Sequence, residues 1–259
     1  MYKRQGKTHE YIDSHWDEKF VAPLSKFVEI PNLSPAYDSE FLTNGKIDQA
    51  IDYVISFSEK TNIPNMTHKI TRIEGKSPLL IFSIPGETSK RVLMYGHLDK
   101  QPHMEEGWSE GLGPVTPVIK DGRLYGRGSA DDGYVPFLSF LAIQNALEQG
   151  QKLPHIVLVF ECEEESGSPS LGELLDHNSD LIGIPDVAMA LDCRCMTYEN
   201  MWISSTLRGI VVVNLNVEVA SQGTHSGLAG GIIPDTFRIV NQLLSRIEDP
   251  ETGKLIDEF

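Results

Sequence analysis

Arg91-Val92-Leu93-Met94-Tyr95-Gly96-His97-Leu98-Asp99 is an apolar run that ends in an imidazole and a carboxylate. The same pattern returns three times: Ser129-Ala130-Asp131-Asp132-Gly133, Glu163-Glu164-Glu165-Ser166-Gly167-Ser168 and Leu191-Asp192-Cys193 each follow a strand-like stretch. Open α/β sheets deliver the carboxyl ends of their strands to one crevice, so ligands distant in sequence can meet there. One histidine with several carboxylates suits a divalent ion such as zinc, manganese or cobalt.

The elements around these segments set the fold class. Ile12, Trp16, Phe20, Leu24 and Phe27 recur at helical spacing and predict a helix over 12–30. Further helices are expected at 46–60, 134–149, 169–182 and from Pro234 to about Ile247. Strands are expected at 69–74, 79–84, 91–95, 155–160 and 186–191, with a hairpin between Ile119 and Tyr125 in the Gly- and Pro-rich stretch 101–128. Strand and helix alternate, which predicts a doubly wound or mixed α/β domain. From Trp202 the texture changes, and long strands are expected at 201–205 and 210–219 in a second domain.

Bulk composition narrows the function. The 259 residues carry 22 basic and 37 acidic side chains, a formal charge of −15, which argues against a nucleic-acid partner. No apolar stretch reaches the roughly 18 residues a membrane span needs, and the basic N-terminus lacks a signal-peptide apolar region, so a cytoplasmic, non-membrane protein is expected. Cys162, Cys193 and Cys195 fit no zinc-ribbon or redox spacing and read as buried thiols.

Each candidate also has a plainer reading. His97 and Asp99 lie two apart at a strand end, so both face one side and the carboxylate can orient the imidazole. Asp131 and Asp132 precede a helix and can cap it, although a Gly-rich approach to two adjacent aspartates also suits a bridging ligand. Glu163, Glu164 and Glu165 form a solvated acidic loop or, beside a cation, a ligand next to a general base. His225, in Gln222-Gly223-Thr224-His225-Ser226-Gly227, either binds substrate or is exposed. Ser166-Gly167-Ser168 lacks the Gly-x-Ser-x-Gly context of a nucleophile elbow.

Gly96-His97-Leu98-Asp99-x-Gln101-Pro102, Asp121-Gly122-Arg123-Leu124-Tyr125-Gly126-Arg127-Gly128-x-x-Asp131-Asp132, Glu164-Glu165-Ser166-Gly167-Ser168 and Leu207-Arg208-Gly209 together resemble the two-metal metallopeptidases of the aminoacylase and carnosine-dipeptidase family. The resemblance implies a mixed central sheet flanked by helices, a zinc-exopeptidase-like catalytic domain, followed by an α+β lid. It implies two divalent ions, zinc first, with manganese or cobalt as alternatives. His97, bridging Asp131 and Asp192 would hold one; Asp131 and Glu165 would hold the other, together with a histidine that relatives carry near their C-terminus. Glu164 matches the general base that activates a metal-bridging water against a peptide bond, and Asp99 the carboxylate that orients His97. His225 matches a lid histidine that, in dimeric relatives, reaches the partner's site and polarises the scissile carbonyl. The peptide after the bridging aspartate is cis in relatives.

Relatives are longer, so residues 1–206 are expected to be an incomplete catalytic domain and 207–259 the first part of a lid and dimerisation domain. Many relatives read Asp-Asp-Lys-Gly where this chain has Asp131-Asp132-Gly133-Tyr134. The expected function is hydrolysis of dipeptides or short peptides, with a homodimer formed through the lid. N-acyl-amino-acid deacylation, or an inactive fragment acting only by association, are the alternatives.

Overall fold

Phe82, Ile84, Leu158 and Phe160 on one side, and Leu79, Ile81, Val157 and Val159 on the other, are the alternating residues of two neighbouring strands, and both sets are buried. Period-two alternation with both faces apolar is what a sheet covered by helices on each side requires. The computed structural model describes residues 2–193 and 195–256. It divides into two compact units, Met1–Ile203 and Ser204–Phe259.

The first unit opens with a helical rod made of α1 (Tyr2–Trp16), a π-helical turn (Asp17–Val21) and α2 (Ala22–Val28). Pro23 has no N–H to donate and its ring crowds the carbonyl one turn back; the wider π turn immediately before it relieves both. Helix α3 (Lys46–Lys60) and strands β1 (Thr67–Thr71), β2 (Leu79–Ile84) and β3 (Arg91–His97) follow, then a short hairpin of β4 (Val118–Lys120) and β5 (Arg123–Tyr125). Helix α4 (Val135–Glu148), strand β6 (His155–Glu161), helices α5 (Leu171–Asp176) and α6 (Ser179–Ile182) and strand β7 (Val187–Ala190) complete the unit. The helix expected over 169–182 is broken at Asn178, whose side-chain amide bonds Leu174 O at 2.7 Å and Thr71 Oγ1 at 2.9 Å instead of letting the helix run on.

The sheet order is β1-β2-β6-β3-β7. β1 and β2 run antiparallel to their neighbours, whereas β6, β3 and β7 are mutually parallel. The large cluster on one face takes residues from α2, α3 and α4, including Phe27, Val54, Phe137 and Phe140; the smaller one on the other face takes Leu174 and Ile182. Phe82 lies edge-on to Phe140, with ring centroids 5.2 Å apart, and is fully buried. Phe82→Ala leaves a cavity among rings that cannot collapse into it, and is expected to lower unfolding free energy by about 3–5 kcal/mol in a denaturant titration. A loss below 1 kcal/mol would contradict this packing.

In the second unit, α7 (Ser226–Ala229) and α8 (Thr236–Leu244) form, the latter capped by Asp235, whose Oδ1 accepts the Arg238 N–H at 3.1 Å. The strands expected at 201–205 and 210–219 are not there: among the described residues these stretches pair with no other strand, and Ile210, Val211, Val212 and Val213 are exposed. A β-rich sequence gives a strand only where a neighbour takes its backbone hydrogen bonds, and no such neighbour is found among the described residues. The cysteine expectation is also corrected. Cys162 is buried, but Cys193 and Cys195 are exposed, because they follow the end of edge strand β7 rather than filling the core.

Candidate metal centre

Strand β3 lies between β6 and β7 and runs parallel to both, so three chain segments leave the sheet at the same end. His97 is the last residue of β3; Glu164 and Glu165 stand in the 3-10 turn Glu164–Ser166 just after β6; Asp192 comes two residues after β7. Asp131 and Asp132 arrive from the segment before α4. That segment presses directly on β3: a Cβ at Gly96 would lie 2.7 Å from Asp132 Oδ2 and 2.8 Å from Val135 Cγ1, so only glycine admits the approach.

His97 is the hub. Its Nε2 lies 3.2 Å from Asp131 Oδ1, 3.9 Å from Glu164 Oε2 and 3.9 Å from Asp192 Oδ2. Single ligand atoms of His97, Glu164 and Asp192 fall within 4.8 Å of one another, and so do those of His97, Asp131 and Glu165. On its other side, Nδ1 faces the Asp99 backbone carbonyl at 3.0 Å and Asp99 Oδ1 at 3.4 Å. Burial opposes protonation of His97, but hydrogen bonds to Asp131 and Asp99 and the charges of Asp99 and Asp132 outweigh it and carry its pKa up to about 11.

Asp99 does more than face the imidazole. Its Oδ1 and Oδ2 accept the backbone N–H groups of Glu164 and Glu165 at 3.2 and 3.1 Å, so one buried carboxylate ties the exit of β3 to the acidic turn. The three successive glutamates separate by role. Glu163 is buried and its Oε1 accepts the Ser170 N–H at 2.5 Å, closing the turn, while Glu164 and Glu165 reach the cluster. Gln101 Nε2 donates to Glu165 Oε2 at 2.5 Å.

His225 belongs to the second unit. It is exposed, caps α7, and its Nδ1 accepts the Gly227 N–H at 3.0 Å.

The roles of two residues here, Asp132 and Tyr134, were not visible in sequence. Asp132 is fully buried; its Oδ2 accepts the His97 N–H at 3.1 Å and its Oδ1 has no hydrogen-bond partner. The Asp131–Asp132 peptide bond is cis, as the family resemblance implied. Tyr134 donates its hydroxyl to Leu191 O, holding the chain just ahead of Asp192.

The electrostatics favour a cation. Burial raises the pKa of Asp132 to about 8 and raises those of Glu164, Glu165 and Asp192 as well, with neighbouring carboxylates adding to it. Half-dehydrated carboxylates crowded around one imidazole lose that penalty when they share a divalent ion. The orphaned Oε1 of Glu165, buried without a hydrogen-bond partner, fits the same reading. The donor set, one nitrogen and otherwise oxygen, matches zinc, manganese or cobalt.

Behind the cluster, Glu161 is buried and accepts the Tyr95 hydroxyl and, at 2.8 Å, the Ser168 hydroxyl at one oxygen, while its other oxygen has no partner. Burial pushes its pKa up to about 7 against the pull of both donors. A carboxyl raised in the folded state binds extra protons there between its ordinary value of 4.5 and about 7, so its contribution to stability is lost as pH rises through that window. Glu161→Gln is therefore expected to flatten the fall in Tm between pH 5 and pH 8; an unchanged slope would place the charge elsewhere.

Comparison with known proteins places the segment that carries these residues in a family. The model of Peptidase family M20/M25/M40 matches residues 93–220, which contain His97, Asp131, Glu164, Glu165 and Asp192. These residues form a Peptidase M20 family domain. The chain is 29% identical over 268 residues to the Cys-Gly metallodipeptidase dug1 of Schizosaccharomyces pombe, covering 96% of this chain and 53% of that protein. It is 29% identical over 264 residues to the Beta-Ala-His dipeptidase of Rattus norvegicus, covering 94% and 51%. The solved structure of the di-peptidase Dug1p from Saccharomyces cerevisiae superposes with a TM-score of 0.65 at 23% identity, over 97% of this chain and 54% of that one, and shares the fold. The chain spans about half the length of the curated relatives it matches. No helix among the described residues is long and apolar enough to cross a membrane.

Proposed function

We propose that this M20 domain holds two divalent ions, zinc first, and hydrolyses the peptide bond of dipeptides or short peptides. The convergence of His97, Asp131, Glu164, Glu165 and Asp192 at the shared end of three parallel strands carries this reading. His97, Asp131 and Asp192 would hold one ion, and Asp131 and Glu165 would share in the second. Bound there, a divalent ion lowers the pKa of water from 15.7 toward about 7 and draws charge from the amide carbonyl.

The chain's own groups do the rest. Glu164, its pKa raised by burial, takes the proton of the attacking water and returns it to the leaving amine. Asp99 holds the backbone of Glu164 and Glu165 and orients His97, so base and ligands keep one geometry. The second unit is read as the first part of a lid through which two copies associate, with His225 as its substrate-facing residue. The relatives' printed substrates, Cys-Gly and β-Ala-His, name the dipeptides to try first.

The purified 259-residue chain, dialysed against zinc or manganese, is expected to retain stoichiometric metal by elemental analysis. Cleavage of Cys-Gly or β-Ala-His should then be abolished by a chelator and should exceed cleavage of N-acetyl amino acids. Failure to retain any metal would remove the basis of the proposal, and faster turnover of the N-acetyl substrates would move it to a deacylase.

A further inference from the structure

Lys100 follows Asp99 and is completely buried, an unusual place for an ammonium group. Its hydrogen-bond acceptors are three backbone carbonyls: Phe27 O at 2.9 Å, Val28 O at 3.3 Å and Ile30 O at 2.6 Å. Phe27 and Val28 end α2 and Ile30 follows its C-cap Glu29, so the ammonium lies at the helix end where the dipole is negative; Phe27 O also accepts the Ile30 N–H at 3.1 Å. The Nζ also sits 4.7 Å from the centre of the Phe27 ring, and a Cβ at Gly128 would come within 2.7 Å of Lys100 Cε, so the stem fills a slot that only glycine leaves open. Burial lowers its pKa to about 7.

The backbone of Lys100 is held as firmly as its side chain. Leu33 pairs with Lys100 in an isolated parallel bridge, the Ser34 N–H donates to Lys100 O at 2.9 Å, and Asn32 Nδ2 donates to Leu98 O at 2.7 Å. The same segment then reaches the acidic turn: Ser34 Oγ and Ser166 Oγ are 2.5 Å apart, and the Ala36 N–H donates to Ser166 Oγ at 2.9 Å. Residues 32–36 thus form a strap from the end of α2 across both turns that carry the site. Asp99 lies between those turns, bonded to the Glu164 and Glu165 N–H groups.

We infer that Lys100 is a positioning residue: by tying the C-terminal end of α2 to the 98–100 turn, it fixes Asp99 and through it the backbone of Glu164 and Glu165. The functional weight of this inference rests on the proposed roles of those two glutamates, but its geometry does not depend on a bound ion.

Residue-resolved amide hydrogen exchange on the metal-free full chain tests it, comparing the unaltered protein with Lys100→Met, which keeps the length of the stem and removes the donor. The Glu164 and Glu165 amides are expected to exchange roughly tenfold faster or more, while the amides of Ile81 and Phe82 in β2 stay within about twofold. Unchanged rates at Glu164 and Glu165, or an equal acceleration everywhere, would overturn the positioning role in favour of a general packing role. Should Lys100→Met not fold, Lys100→Gln retains a donor and is expected to give a smaller acceleration confined to the same two amides; rates identical to the unaltered protein overturn the inference. Metal content, measured in parallel on the unaltered chain, separates this outcome from failure of the hydrolase reading. A chain that binds no ion yet shows the exchange pattern keeps Lys100 as a positioning residue and loses the proposed chemistry.

Discussion

His97→Ala is expected to abolish stoichiometric binding of the ion that His97, Asp131 and Asp192 would hold. His97 is the member common to both ligand groups and supplies their one nitrogen. Loss of an outer partner of a metal ligand costs about 10–100-fold in affinity, and loss of a ligand itself should exceed about a hundredfold. The substitution also removes the group against which Asp131, Glu164 and Asp192 are set, leaving carboxylates that repel one another. Calorimetric titration with zinc and manganese, alongside circular dichroism to establish folding, measures the effect. Affinity within tenfold of the unaltered chain in a folded protein would show that the imidazole is not a ligand.

Glu164→Gln is expected to separate binding from chemistry. The amide keeps the size of the carboxylate but cannot accept a proton, so turnover of a cleaved dipeptide should fall by about 10²–10⁴, the usual span for a general base, with KM changed little. Metal content should persist through His97, Asp131, Glu165 and Asp192. This split matters because Glu164 also lies within ligand distance of His97 and Asp192. If Glu164→Gln loses its metal together with its activity, Glu164 acts as a ligand, and the base must be sought elsewhere in the cluster. Glu165→Gln supplies the comparison, since its neighbour role predicts weakened metal binding first.

Much of the fold was legible because both of its periodicities were strong. Runs such as 79–84 and 155–160 are apolar at every residue but one, Ser83 and His155, which suits strands buried on both faces, and 46–60 repeats at helical spacing. Expectation failed where tertiary partners decide. The apolar stretch 210–213 has strand composition but no strand to pair with among the described residues, and 169–182 has helical composition but is interrupted by an asparagine that prefers side-chain bonds. At the site, the acidic and histidine residues stood out because charges at the ends of apolar runs are conspicuous. Glu161, Tyr134 and Lys100 did not, and the burial of Asp132 could not be read, since a charge or hydroxyl is ordinary in sequence until its burial is known.

By itself, the order of residues determined that three strand-forming runs would each be followed by histidine or carboxylate side chains, because strand formation and the identity of the residue that follows are local properties. Only the tertiary structure decided that β3 lies between β6 and β7, that Asp99 grips the backbone of two glutamates sixty-odd residues away, and that a buried lysine anchors the turn to α2. Those contacts join segments with no local signal linking them, and their strength comes from burial, which exists only once the chain has folded.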